Sequence, residues 1–138
     1  MIARVRTTIQ KRAEGEKGFT LIELLVVIII IGILAAIAIP AFLNQRTRGW
    51  TAQVESDLKN AAIAAETYAV ANNGSYTDLV EGDDADVSLG ANGYNATEDV
   101  TVTVTRANDA GFELTGEHAN LPGDTWVYDS ATGVIDGP

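Results

Sequence analysis

The sequence predicts an α+β protein: a long N-terminal α-helix spine with an antiparallel sheet of three or four strands packed on its C-terminal half. Three observations predict it. Residues 24–43 form a run of 20 residues without a charge. From Trp50 onward, apolar residues recur at spacings of three and four. After residue 98 the apolar period falls to two, and turn residues punctuate what remains.

The uncharged run comes first. A helix needs about 20 apolar residues to cross a bilayer core, so Leu24–Leu43 can span one. A buried core helix that is apolar on every face would need a larger domain around it than the roughly 90 residues that follow can build. Arg4, Arg6, Lys11, Arg12 and Lys17 precede the run, whereas only Arg46 and Arg48 follow it closely. The positive-inside rule then keeps residues 1–18 in the cytoplasm and sends the distal half across. Ala36-Ile37-Ala38 would suit the cleavage site of an ordinary secretory signal. The apolar run continues past that site, however, and flows into a further helical pattern. An uncleaved single-pass anchor also fits the hydropathy. Neither accounts for Glu23, a lone carboxylate at the mouth of the run. A carboxylate in hydrocarbon costs on the order of 3 kcal/mol unless it finds a partner.

The helix is expected to continue. Trp50, Val54, Leu58, Ala61, Ala62, Ala65, Tyr68 and Ala69 mark one apolar stripe, with Gln53, Asp57, Asn60 and Thr67 between them. Glu55 and Lys59 form an i,i+4 pair. Asn72-Asn73-Gly74 supplies a stop, because Gly or Asn tolerates the left-handed conformation that ends helices. From Phe19 to about Ala71 such a helix reaches roughly 80 Å. Gly32 and Pro40 interrupt it. Pro40 removes an N–H and crowds the carbonyl of Ala36, which costs about 3 kcal/mol in a helix interior. Gly32 costs about 1 kcal/mol relative to Ala. In lipid a freed carbonyl is expensive, so the expectation is a kinked but retained helix.

Residues 75–97 are polar, acidic and glycine-rich, which reads as a loop over the head with a short strand near Val87–Leu89. Its cluster of Glu81, Asp83, Asp84 and Asp86 offers the oxygen ligands calcium takes, but without the spacing of an EF-hand. A solvated acidic loop is the plainer reading, and Asp83, Asp84 and Asp86 stay weak calcium candidates. Asn73-Gly74-Ser75 and Asn95-Ala96-Thr97 match the short N-x-[ST] pattern, which arises often by chance. Val100, Val102 and Val104 alternate with threonines as a half-buried strand does. Turn chemistry at Arg106–Gly111, a return strand from Phe112, a wider connection over His118–Asp124, a strand at Thr125–Tyr128, a turn over Asp129–Gly133 and a short strand at Val134-Ile135 complete the sheet.

Composition removes several functions. The chain has no cysteine, so there is no disulfide, thiol nucleophile or cysteine metal centre. Its net charge of −10 divides unevenly: +3 over residues 1–18, +1 over 19–48 and −14 over 49–138. An acidic distal half repels nucleic acid and anionic lipid, so direct nucleic-acid binding is not expected of it. No phosphate loop, nucleophile elbow or metal-ligand pair is present, and His118, the one histidine, falls in an apparent turn as a surface bystander. No enzyme activity and no cofactor are expected.

"KGFTLIELLVVIIIIGILAAIAIP", Lys17–Pro40, resembles the N-terminus of type IV pilins and their pseudopilin relatives, which carry the class III prepilin-type signal. The likeness is close to about Phe42 and then becomes architectural. It implies a pilin-like fold. It implies that a prepilin peptidase cuts between Gly18 and Phe19 and N-methylates the new amine of Phe19. It implies that Glu23, the fifth residue of the mature chain, meets that amine and the amine of a neighbouring copy. Two opposite charges in lipid attract strongly, whereas either alone is costly, so burial of Glu23 would drive docking in one register. In pilin filaments the stretch between positions matching Gly32 and Pro40 can unwind, and both residues are present. The implied parts are a cleaved leader (1–18), a hydrophobic transmembrane and assembly half (19–48) and an acidic globular head (49–138).

The resemblance implies a homo-oligomeric helical filament, made with a prepilin peptidase and an assembly platform in the inner membrane. Its precursor would lie in the cell membrane with the N-terminus cytoplasmic and the head outside, and the assembled pilus would be extracellular. A major pilin serving adhesion, motility or DNA uptake is favoured. A pseudopilin of a secretion or competence system is the near alternative, and a non-polymerising exported or anchored binding domain the distant one. Two departures stand out: no cysteine pair pins the C-terminal region, and the 18-residue leader is long for a mature Phe start.

Overall fold

Fifty-one consecutive residues, Leu21–Ala71, form a single helix, α1, in a computed structural model that describes residues 18–80 and 88–138. The helix remains unbroken through Gly32 and Pro40. The chain divides into two compact units, Met1–Phe42 and Leu43–Pro138.

In the first unit the described part of α1 exposes almost every apolar side chain from Leu21 to Phe42. Among the described residues it is the one helix long and apolar enough to cross a membrane. Nothing in the unit would touch a Cβ added at Gly32, so the chain's own packing does not require a glycine there.

The second unit holds the core. Val54, Leu58, Ala61, Ala65 and Tyr68 from α1 are buried with Val100, Val102, Phe112, Leu114 and Trp126 from the sheet. The amphipathic stripe is the one the spacing predicts from Val54 to Ala69, with Asp57 and Ala64 buried in addition and Trp50 only half-buried. The helix ends as expected: Asn73 and Gly74 take φ values of 57° and 85°. The N–H of Gly74 reaches back to the carbonyl of Ala69 at 2.8 Å.

The sheet is a four-stranded antiparallel meander in the order β1-β2-β3-β4. Its strands are β1 (Val100–Asn108), β2 (Gly111–His118), β3 (Trp126–Asp129) and β4 (Val134–Asp136). Val102 pairs with Gly116, and Gly116 with Trp126. A Cβ on Gly116 would lie 2.7 Å from Val54 Cγ1 and 3.1 Å from Leu58 Cγ, so this glycine lets α1 approach β2 closely. A bulge between Val104 and Arg106 shifts the register of β1.

The first hairpin turn is tighter than the sequence suggested. β1 runs on to Asn108, whose Oδ1 accepts the N–H groups of Ala110 at 2.8 Å and Gly111 at 3.2 Å. That side-chain bond closes the hairpin with Asp109-Ala110 alone at its tip.

Two expectations about polar residues change. His118 is the last residue of β2 and only 3% exposed, rather than a surface residue in a turn. Register decides this: Val100 pairs with His118, so His118 shares the inward face with Gly116 and Leu114. Asp57 is only 2% exposed although it is charged. It lies three residues after Val54 and four before Ala61, which places it within the buried stripe. Of the strand expected near Val87–Leu89, the described residues show a single bridge between Val80 and Ser88, with Leu79 and Leu89 buried beside it. Val87 lies outside the described residues.

Candidate functional site

The first turn of α1 carries the sequence-predicted site. Thr20 is its cap: its Oγ1 accepts the N–H of Glu23 at 3.2 Å, and its carbonyl accepts the N–H of Leu24 at 3.2 Å. This is half of the Thr-x-x-Glu capping arrangement, and it fixes where the helix begins. The helix therefore starts at Leu21, two residues later than expected, and Phe19 precedes it with 84% of its surface exposed. Gly18, Phe19, Thr20 and Glu23 line one open concavity, so the structure brings the expected cleavage residues and the carboxylate together. Glu23 lies in the first helical turn, where the partial positive charge of the helix terminus favours a carboxylate.

Gly18 has no neighbour within 4 Å of an added Cβ. The described fold thus makes no demand for glycine at this position. Residues 1–17, the rest of the expected leader, lie outside the described residues, as do Glu81, Asp83, Asp84 and Asp86. Among the described residues, no group of three or more His, Asp or Glu side chains is gathered as a metal site would be.

A second polar centre lies in the head and escaped the sequence reading. Asp57 Oδ2 accepts the N–H of Thr97 at 2.7 Å and the hydroxyl of Tyr94 at 3.3 Å, and Oδ1 accepts the Thr97 hydroxyl at 2.7 Å. Burial, then the Asp57 charge, pushes the Tyr94 hydroxyl well above its ordinary range. His118 Nδ1 accepts the N–H of Asn120 at 3.1 Å, which leaves Nε2 to donate to Gln53 Oε1 at 2.9 Å. Both groups are fully engaged in joining α1 to the loops and the sheet. Their hydrogen bonds tie α1 to the segment 94–97 and to the end of β2. Arg46 stands four residues before Trp50 on α1. Arg46 lies over the Trp50 ring, 4.8 Å from its centroid, and the Trp50 and His118 rings are 5.6 Å apart.

Comparison with known proteins agrees with the N-terminal pattern. Residues 15–39 match the family described as the prokaryotic N-terminal methylation motif. The chain is 39% identical over 110 residues to "Type IV wide pilus major component PilA4" of Thermus thermophilus, covering 80% of this chain and 78% of that protein. The chain belongs to the type IV pilins. This pilin is also 52% identical over 52 residues to "Type IV major fimbrial protein FimA" of Dichelobacter nodosus, which is 38% of this chain and 33% of that one. It is 48% identical over 52 residues to "Type IV major alpha-pilin" of Moraxella bovis, again 38% and 33%. The matched segment thus spans about a third of the length of the fimbrial relatives.

Proposed function

We propose that this pilin is the major structural subunit of a type IV pilus. The observation that carries the reading is the 39% identity, over four fifths of the chain, to a protein named as a major pilus component. The relatives matched over 52 residues are named as a major fimbrial protein and a major pilin, so the proposed role is structural rather than catalytic.

The path from sequence to filament follows from the first turn. The precursor is held in the membrane by Leu24–Leu43, with residues 1–18 cytoplasmic and the head outside. Prepilin peptidase cuts after Gly18, where a side chain would obstruct its approach, and methylates Phe19. The cut creates a cationic amine on Phe19, four residues before Glu23. Glu23 carries the one charge between Gly18 and Arg46. Its carboxylate is poorly solvated in lipid and gains most from the amine of an adjoining subunit. The assembly platform extracts the subunit, and the apolar surface from Leu21 to Leu43 exchanges lipid for other copies of itself. The filament emerges outside the cell, where it would serve adhesion, motility or DNA uptake.

Sequencing of the mature chain from its native host tests this, together with electron microscopy of the cell surface. An N-methylated Phe19 and long filaments containing the chain are expected. A mature start at Ile39 or Met1 would favour a non-polymerising exported or anchored domain. A methylated Phe19 without long filaments would favour a pseudopilin of a secretion or competence system.

A further inference from the structure

The head has a charge problem that its base is placed to relieve. Residues 49–138 carry Lys59 and Arg106 against 16 carboxylates, and a chain held in a membrane keeps that acid close to lipid phosphates. Between Leu43 and the head stand only two charged residues, Arg46 and Arg48. Asn44, Gln45, Arg46, Thr47 and Arg48 follow one another within unbroken helix. Successive side chains on a helix point about 100° apart, so these five encircle it. The arginines fall on opposite flanks, and both are exposed. Among the described residues, the two ion pairs both belong to Arg106, with Glu113 and Asp129, and neither Arg46 nor Arg48 has a carboxylate within that reach.

The axial position is equally specific. At about 1.5 Å per residue, Arg46 and Arg48 lie about 5 to 8 Å beyond Leu43, and Trp50 about 10 Å. The headgroup layer on each side of a bilayer core is roughly 5 to 8 Å thick. Half-buried Trp50 lies beneath the Arg46 guanidinium, an apolar body with cationic cover, which is the composition of interfacial anchors.

We infer that Asn44–Trp50 forms a phospholipid-headgroup collar, in which Arg46 and Arg48 bind lipid phosphates on the head's side of the membrane and concentrate anionic lipid around the unassembled subunit. The inference rests on the membrane-held precursor proposed above. A lipid surface fits better than a protein partner because the cations face opposite directions. A docked protein would meet one flank, whereas headgroups surround a single helix on all sides. The guanidinium fork suits a phosphate oxygen pair. The collar also offsets the repulsion between the acidic head and the same phosphates.

The experiment places the full chain in nanodiscs of phosphatidylcholine containing a minor share of phosphatidylglycerol. Energy transfer from Trp50 to a headgroup-labelled phosphatidylglycerol, in a Trp126→Phe background, reads the local lipid composition. Because Trp126 is a core residue, lipid retained on the wild-type chain in native mass spectrometry provides a second readout. Enrichment over the bulk ratio is expected to fall by up to about fivefold for each arginine replaced in Arg46→Gln and Arg48→Gln, and to weaken at high salt. Glu23→Ala is expected to keep the enrichment while losing filaments. Equal enrichment in the wild type and the double variant, or none in either, would overturn the collar while leaving the pilin reading intact. A double variant that keeps its lipid but fails to assemble would make the arginines a contact between subunits and also overturn it. A wild-type chain not retained in the discs would remove the membrane-held precursor itself, and the collar with it.

Discussion

Asp57 shows how one side chain can tie a loop to a helix. Its two oxygens take three hydrogen bonds from Thr97 and Tyr94, roughly forty residues further along the chain. Asp57→Ala would leave the Thr97 N–H and hydroxyl without their acceptor, at a cost of about 3 kcal/mol, visible as a lowered midpoint in chemical denaturation. The same bond occupies the hydroxyl of the Asn95-Ala96-Thr97 pattern, and Ser75 of the Asn73-Gly74-Ser75 pattern donates to Asp109. Asp109 also accepts from the Thr77 hydroxyl at 2.9 Å, and the Ser75 and Thr77 bonds hold its carboxyl below the usual 3.8. A depressed carboxyl contributes stability that is fully present above its unfolded pKa and is lost as pH falls through the folded value. Acid titration of unfolding should therefore show a shallower loss below pH about 4 in Asp109→Asn than in the wild type. Tyr94 works in the opposite sense: its raised pKa stabilises the fold below the ordinary 10.0 and that contribution is lost at higher pH.

Between elements, the contact that defines the head is α1 against β2 through Gly116. Gly116→Ala places a methyl against Val54 and Leu58, and should cost about 1–3 kcal/mol by overpacking. Thermal unfolding of the detergent-held subunit would measure it, and a neutral result would show that the helix can draw back. Within α1 itself, Gly32 and Pro40 lie in continuous helix in the single chain. If assembly unwinds this stretch, amide exchange between the two residues should be faster in filaments than in detergent-held subunits. Equal protection in both states would remove the extensible segment from the proposal.

For the whole molecule, the large apolar residues from Phe19 to Leu43 are exposed in the isolated chain, more than a soluble monomer presents to water. Lipid or other copies must cover them, and Glu23 is the group that would choose between the two. Glu23→Ala is expected to be cleaved and methylated and to remain in the membrane, yet to lower filament yield by tenfold or more, a pairing worth about 1.4 kcal/mol or above. Immunoblots of sheared surface filaments against membrane-held subunit would read it. A normal yield would count against the amine–carboxylate pair.

Sequence alone determined the apolar run, the apolar positions of the stripe from Val54 to Ala69, the helix stop at Asn73-Gly74 and the order of the strands in a sheet of three or four, which pairing fixed at four. Each is a local pattern: hydropathy over one or two turns, a period, or a residue that tolerates positive φ. It also pointed to Gly18, Phe19 and Glu23, because that motif is contiguous and resembles the pilin N-terminus. Tertiary structure decided what depends on register and on distant partners. Capping by Thr20 set the helix start at Leu21, strand pairing turned His118 inward, and the packing of loop 88–99 on α1 made Asp57 a buried acceptor rather than a solvated charge. The spacing along the helix places Asp57 on the stripe, but its partners Tyr94 and Thr97 depend on where the chain returns, which no local pattern carries.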